Sequence, residues 1–567
     1  MKFNKMWAIV GILVFVLALA TACGPGADPD PDPDPDPDPV DTTDPDPADD
    51  RYGGDLIYGS SDHPPHLNGL TFSGGGHFST FNQIYDSLFW NDADLIPQPV
   101  LVEDYTVEDD GQTYVLNLRR DVTWHDGEPF TARDVVFTMY AHLNPAVNSG
   151  VRSDLSVLVG FEELTDPDNP ADPDDLDVMP IEMRDDYTVV LRLKHAFAPF
   201  LTNLTIPRMP IVPEHIMGSE TDLNDSVMNT KPIGTGPFVF KEWVRDERLV
   251  FEANEDYFAG RPYLDRIFYR AIPEESMRIT ELQSGSVHWI TYPPTDAWDA
   301  LGDHPNVQTV YGADDITFRA LTINHQAPWM DDLEVRRALA HAVDTSEIVE
   351  GLNRGYGTVA TGPIGPDHWA YSDDVTVYEY DPGKAKDMLL AAGFTEGSDG
   401  MLERDGQPFE ITLITEQAEN FPAICELIQE QLRTVGISVE IPTMDWPTYV
   451  DHLLGSDFDI ALVSWSGQAD PHGNFFRRFH SRGTRNVGFY YNDRVDELLD
   501  LATTTVDHSQ RREYYQEFQA IITDEVADIF AWHPVRFYAI SSELEGIEFH
   551  PLSTAVTDFI SQAYWSK

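Results

Sequence analysis

Phe458 to Trp465 is apolar apart from Asp459 and Ser464. A run of that length and make-up reads as a strand buried on both faces, which requires layers above and below the sheet. The segments before it supply them. Ile424, Leu427, Ile428, Leu432 and Val435 fall on one helical face that Gly436 ends, and Ile437 to Ile441 follows as a strand. Asp381-Pro382 is a helix cap and first position, with Gly393 as the stop. Helix and strand therefore alternate, which predicts α/β layers with a largely parallel sheet. In the first half, Asp55 to Gly59 and Tyr114 to Leu118 read as strands, and Thr131 to Asp134 opens a helix running through Tyr140. Thr165 to Asp177 is an acidic loop without the glycine and terminal glutamate of a calcium-binding EF-hand loop.

The first fifty residues follow another logic. Lys2 and Lys5 precede the uncharged apolar stretch Trp7 to Ala20, and Leu19-Ala20-Thr21-Ala22 leads to Cys23. The apolar stretch is short for a membrane span, and its flanks are those of an export signal over residues 1–22. A cysteine at that junction resembles the lipobox of bacterial lipoproteins, which implies lipidation of Cys23. The alternative is ordinary cleavage nearby, with Cys23 incidental. Residues 23–50 are rich in alternating aspartate and proline, which favours an extended acidic tether. At about 3.1 Å per residue it spans up to roughly 80 Å.

Residues 51–567 exceed one core, so two or three domains are expected. The chain carries 97 acidic and 36 basic side chains, a net charge of −61. Such a surface repels nucleic acid and anionic bilayers. Only eight of the basic residues are lysines, a pattern that fits adaptation to high salt. If Cys23 carries lipid, Cys425 has no partner and there is no disulfide framework. Cys425 is expected to be a small buried hydrophobe.

Several catalytic signatures are missing: the phosphate-binding G-x-x-x-x-G-K-[ST] loop, the metalloprotease H-E-x-x-H and the nucleophile elbow G-x-S-x-G. His63-Pro64-Pro65-His66 is the one tight histidine pair, and its prolines suit an irregular loop better than a metal site.

Tyr85-Asp86-Ser87-Leu88-Phe89, Ile96-Pro97-Gln98-Pro99, Leu118-Arg119 and Trp124-His125-Asp126-Gly127 through Phe137 resemble the signature block of the bacterial extracellular solute-binding proteins, family 5. That family holds the oligopeptide-, dipeptide-, nickel- and glutathione-binding components of ABC importers. Pro232 to Phe238, Leu333 to Leu339 and Trp465 to Pro471 continue the likeness in order. Physically, Trp124 to Gly127 and Gly234 to Pro237 read as tight turns, more structural than ligand-binding.

The resemblance implies a two-lobed, periplasmic-binding-protein-like clam shell of α/β class, with a large first lobe carrying an extra subdomain. Residues 51–310 plus 536–567 are expected to form lobe I and 311–535 lobe II, closing over a ligand by hinge motion. The strand ending at Trp465 delivers Trp465, Ser466, Gln468 and Asp470 to one sheet edge as candidate ligand residues. In the plainer reading Trp465 is core and Asp470 caps a turn before Pro471. Peptide-binding members capture the ligand's amine with an aspartate whose place here is taken by Gln468, which supplies no charge. Arg482, Arg485 and Asn486 are candidates for meeting a carboxylate, with surface solvation as the alternative. Tyr58, Ser60 and Ser61 follow from the first strand. The chain is expected to be a lipid-anchored monomer that captures a peptide or other small polar solute and delivers it to membrane permease subunits. No catalysis, cofactor, metal or nucleic acid is expected. A ligand sensor docking on a receptor, or a secreted hydrolase, are the alternatives.

Overall fold

The structure, a computed structural model, describes residues 50–566 except 72–76, 206–208, 314–315, 419, 468 and 553–559. The leader, Cys23 and nearly all of the tether lie outside the described residues.

Two seven-stranded sheets organise the chain. In the first, strand Asp55–Ser60 lies parallel to Arg266–Ala271 on one side and to Trp289–Thr291 on the other. Val535–Ser541 joins antiparallel to Trp289–Thr291, and Val307–Ala313 closes that edge. Hairpin strands Phe238–Val244 and Arg248–Ala253 extend the opposite edge. In the second sheet, Ile460–Trp465 sits between Phe318–Ile323, antiparallel, and Glu410–Glu416, parallel. Asp528–His533 pairs antiparallel with the outer side of Phe318–Ile323. Both sheets are thus mixed rather than largely parallel. The reason is connectivity: the chain passes between sheets after Ala313 and again at Pro534, and each passage brings a strand back in the reverse sense.

The strand over Ile460–Trp465 is buried on both faces. Leu462 packs in a core with helix Phe421–Thr434, whereas Ala461 and Val463 belong to the core on the other side. The helix ends are those read from the sequence. Thr131 and Asp134 form a reciprocal capping box at helix Ala132–Leu143, Asp381 caps helix Pro382–Ala391, and Gly436, at φ +89°, follows helix Phe421–Thr434. Cys425 is fully buried in this core, and burial pushes its thiol up to about 12.

The extra subdomain is a four-stranded antiparallel sheet, Val102–Glu108, Thr113–Leu118, Thr188–Arg192 and Ile181–Asp185 in that spatial order. Helix Ala132–Leu143 covers it over a separate core. The signature turns fasten this subdomain to the first lobe. His125 Nδ1 accepts the Gly234 N–H at 3.2 Å while Nε2 lies 2.9 Å from the Gly236 carbonyl oxygen. Asp86 receives the Thr235 and Tyr257 hydroxyls at 2.9 and 3.0 Å. Burial without a cationic partner raises Asp86 to about 6. Gly236 is glycine because a Cβ there would stand 2.6 Å from the Ile84 carbonyl carbon. These signature blocks are joints.

At the far end of the first sheet, Gly54 holds φ +93° and lies under the Trp565 indole. The C-terminal strand Tyr564–Trp565, paired with Leu544–Glu545, therefore closes over the point where the chain enters strand Asp55–Ser60.

Candidate functional site

Strand Trp289–Thr291 ends in Tyr292-Pro293-Pro294, and Tyr292 takes the left-handed conformation at φ +50°. The prolines cannot extend the ladder, so the chain turns off the sheet. It returns as the short helix Trp298–Gly302, anchored by the Trp298 indole donating to the Pro293 carbonyl at 2.7 Å and stacking on Phe537 at 4.4 Å. One wall of a cleft results, from the first sheet. The facing wall comes from the second sheet: Arg319 on Phe318–Ile323, Ser464 and Ser466 at the end of Ile460–Trp465, and Trp532 on Asp528–His533. Arg319 stands opposite Ser464 in the ladder, so guanidinium and hydroxyl share one face. Asn353, Arg354 and Tyr356 fill the end between the walls, braced by the Asn420 amide donating to Asn353 at 2.9 Å.

The cavity in this cleft is about 830 Å³ and is walled by both sheets. That volume holds a solute of peptide or drug size. Aromatic rings of Tyr292, Trp298, Tyr356 and Trp532 alternate with polar groups. The walls meet beyond the cavity as well. The Ala198 N–H of the subdomain donates to the Thr503 carbonyl at 2.8 Å, and Phe197 meets the His472 ring edge-on at 5.1 Å.

The residues singled out in the sequence are dispersed. Ser466 lines the cavity. Trp465 lies beneath it, buried, its indole donating to Thr322 Oγ1 at 3.1 Å. Asp470 is also buried. Its Oδ1 accepts from Arg511 Nη2 at 2.8 Å and from the His472 N–H at 3.0 Å, so it caps the turn at Pro471 and neutralises a buried guanidinium. Arg482 is exposed and holds Asp500, at 2.6 and 2.8 Å. Asn486 closes its own turn with Tyr490, accepting at 3.1 Å and donating at 2.7 Å, and Arg485 is exposed beside it. None of these three lines the cavity. Tyr58 is buried and donates to Thr291 at 3.3 Å, whereas Ser60 and Ser61 donate to Asp62 at 2.8 and 2.9 Å. Gln468 lies outside the described residues.

Sequence reasoning passed over Arg319, Arg354 and Arg536. Arg319 carried a signal: it is the only charge between Ile316 and Ile323, in a strand otherwise fit for full burial. His63 is bound to the Tyr269 carbonyl oxygen at 3.1 Å, and among the described residues no cluster of histidine, cysteine, aspartate and glutamate could hold a metal ion.

Comparison with known proteins agrees with this architecture. Residues 97–486 match the model of bacterial extracellular solute-binding proteins, family 5 (middle). The chain is 31% identical over 511 residues to the oligopeptide-binding protein AppA of Bacillus subtilis (strain 168), covering 88% of this chain and 90% of that one. The solved structure of AppA from Bacillus subtilis, in complex with a nonapeptide, superposes with a TM-score of 0.68 at 29% identity, over 91% of this chain and all of the other. NikZ from Campylobacter jejuni, in complex with Ni(L-His), gives 0.70 at 27% identity, over 90% of this chain and 99% of that one.

Proposed function

From the membership of this chain in the bacterial extracellular solute-binding proteins, family 5, whose members bind solutes for ABC transporters and are not enzymes, we propose that it is the lipid-anchored solute-binding subunit of an ABC importer. It captures a peptide or other small polar solute between its lobes and delivers it to a membrane permease. Cys23 carries the lipid, residues 23–50 form the tether, and the protein acts as a monomer. Lobe I comprises residues 51–310 with 536–567, and lobe II residues 311–535, the changeovers lying close to Ala313 and Pro534.

The observation that carries this reading is the cavity of about 830 Å³ walled by both sheets. Its rings offer apolar faces, and Ser464, Ser466, Asn353 and the arginines offer hydrogen bonds, which together suit a small polar solute. Two short passages join the sheets, and His533 Nδ1 on one stands 2.9 Å from the Thr317 carbonyl of the other. Such a joint suits hinge closure.

The test is a thermal-shift screen with peptides, opines, sugars and metal chelates. A bound solute at 100 times its dissociation constant adds about 2.7 kcal/mol of apparent stability. The Ser466→Trp variant, which fills the cavity, should keep the unliganded melting temperature and lose the shift. An undiminished shift in that variant, or turnover of any of these compounds, overturns the proposal.

A further inference from the structure

We propose that Leu95 is a positioning residue for closure of the cleft: it plugs onto the loop that carries Ser466 and, with Phe197 and Ala198, forms a latch that holds the cleft shut from outside the cavity; this rests on the hinge closure proposed above.

The first ground is the turn that presents Leu95. Strands Phe89–Asn91 and Pro97–Pro99 form a hairpin whose tip runs from Asp92 to Ile96. The tip closes by its own bonds. The Leu95 N–H donates to the Asp92 carbonyl at 2.9 Å, and Asp92 Oδ1 accepts the Asp94 and Ile96 N–H groups at 3.0 and 2.9 Å. Ala93, Asp94 and Ile96 are exposed, as suits a surface turn, yet Leu95 is only 4% exposed. It also holds φ +64°, a conformation costly for a bulky side chain and free for glycine. Nothing within the turn calls for leucine; what the side chain gains lies across the cleft.

The second ground is where Leu95 lands. It shares one apolar cluster with Ile316 and Ala469. Ile316 stands just ahead of strand Phe318–Ile323, and Ala469 lies on the loop between Ser466 and Asp470. That loop is pressed against Ile316: a Cβ at Gly467 would stand 1.7 Å from the Ile316 carbonyl oxygen. A side chain seated on Ile316 and Ala469 therefore bears on the support of the loop that presents Ser466 to the cavity.

The third ground is a second contact farther along the same loop. Asp470 Oδ1 accepts the His472 N–H at 3.0 Å, and Arg511, bound to that oxygen, donates through Nε to the Ala502 carbonyl at 2.8 Å. The pair thus ties His472 to the end of helix Asp493–Thr504, where His472 Nδ1 lies 2.8 Å from Thr503 Oγ1. His472 and Thr503 are the residues that the subdomain meets, through the Phe197 ring and the Ala198 N–H. Gly111 comes in beside them: a Cβ there would stand 2.8 Å from Val506 Cγ2. Leu95, Ala198 and Gly111 do not line the cavity, so latch and solute favour the closed arrangement independently.

Hydrogen exchange and small-angle scattering on the purified protein, with no solute added, test the latch. The Ala198 amide reports it directly, because its proton is bonded across it. Leu95→Gly removes the plug and suits the left-handed backbone. Its Ala198 exchange should be about ten- to hundredfold faster, as expected from unburying one leucine, and its radius of gyration larger. Val506→Glu, at a 48% exposed position against Gly111, should act in the same direction. Leu95→Met, which keeps an apolar plug, should match the parent protein, and melting temperatures confirm that each variant folds. Unchanged exchange and size in Leu95→Gly overturn the inference, as does equal loosening by Leu95→Met. Faster exchange at Ala198 without expansion overturns it as well, because the contact then frays while the cleft stays shut. In all three cases the cleft reading stands, since no solute enters the measurement. Expansion of Leu95→Gly together with an undiminished thermal shift in Ser466→Trp supports the latch and overturns the cleft as the solute site.

Discussion

The Tyr356 hydroxyl, on the side of the second sheet, donates to Asp299 Oδ1, on the side of the first, at 3.0 Å; Arg354 Nη1 stands 3.3 Å from the other oxygen of the same carboxylate. The Tyr356 ring also meets Trp298 edge-on at 4.7 Å. The clasp spans the cleft beside the cavity. Asp299 and Arg354 are 63% and 48% exposed, so the ion pair contributes at most about 1 kcal/mol. Asp299→Ala should therefore weaken solute binding by about two- to fivefold in low salt, and less in high salt, by calorimetry. The unliganded melting temperature should hardly change. A loss of a hundredfold or more would mean that Asp299 touches the solute.

Asp470→Ala should be costly to the fold. It strands the Arg511 guanidinium inside the protein, and breaking a buried pair from one side costs about 3–5 kcal/mol. Chemical denaturation of the variant should show that loss without any solute present. An unchanged midpoint would contradict the buried pairing.

Acid should destabilise the protein well above the usual carboxylate range. Burial lowers His125, His368 and His472 to about 4, and His142 and His325 to about 3. The unfolded chain binds these protons below about pH 6.5 and the folded chain does not, so stability falls as pH drops from 6.5 towards 4. Each such histidine contributes about 1.4 kcal/mol per pH unit within its window. Asp86 and Asp528, raised to about 6 by burial, act in the opposite sense between roughly pH 6 and 4. Five groups against two leave a net loss, to be read as a falling melting temperature over that range. His125→Gln should flatten the slope.

Gly236→Ala should disrupt the joint between the signature blocks. Its Cβ would stand 2.6 Å from the Ile84 carbonyl carbon and 2.8 Å from the Gln83 carbonyl oxygen, both backbone. Overpacking against backbone costs about 1–3 kcal/mol. The loss should appear in the denaturation midpoint, whereas Gly127→Ala, with open space around its Cβ and φ +91°, pays only the backbone strain.

Salt should stabilise. A net charge of −61 repels itself in the compact state, and added electrolyte screens the repulsion. The melting temperature should rise from about 0.1 M to about 2 M potassium chloride. A flat or falling curve would overturn the reading of an acidic surface suited to high salt.

Helix caps at Thr131 and Asp381, the stop at Gly436 and the two-sided burial of Ile460–Trp465 are fixed by neighbours in the chain, and each was legible in the sequence. Sheet sense was not, because it depends on where the chain crosses between lobes. Nor was the fate of Asp470: a carboxylate after a strand end looks the same whether it awaits a ligand or an arginine, and Arg511 reaches it from a distant helix. Ser466 was found from its strand. Arg319 and Arg536 belong to different sheets, and only the folded chain puts them on one cavity.

The first strand runs from Asp55, under the Trp565 lid, to Ser60, and its parallel neighbour Trp289–Thr291 delivers Tyr292 to the cavity. Entry point and mouth thus lie at opposite poles of the first sheet, about 20 Å apart along the strand. The chain therefore enters the first sheet at the pole away from the one that opens on the cavity.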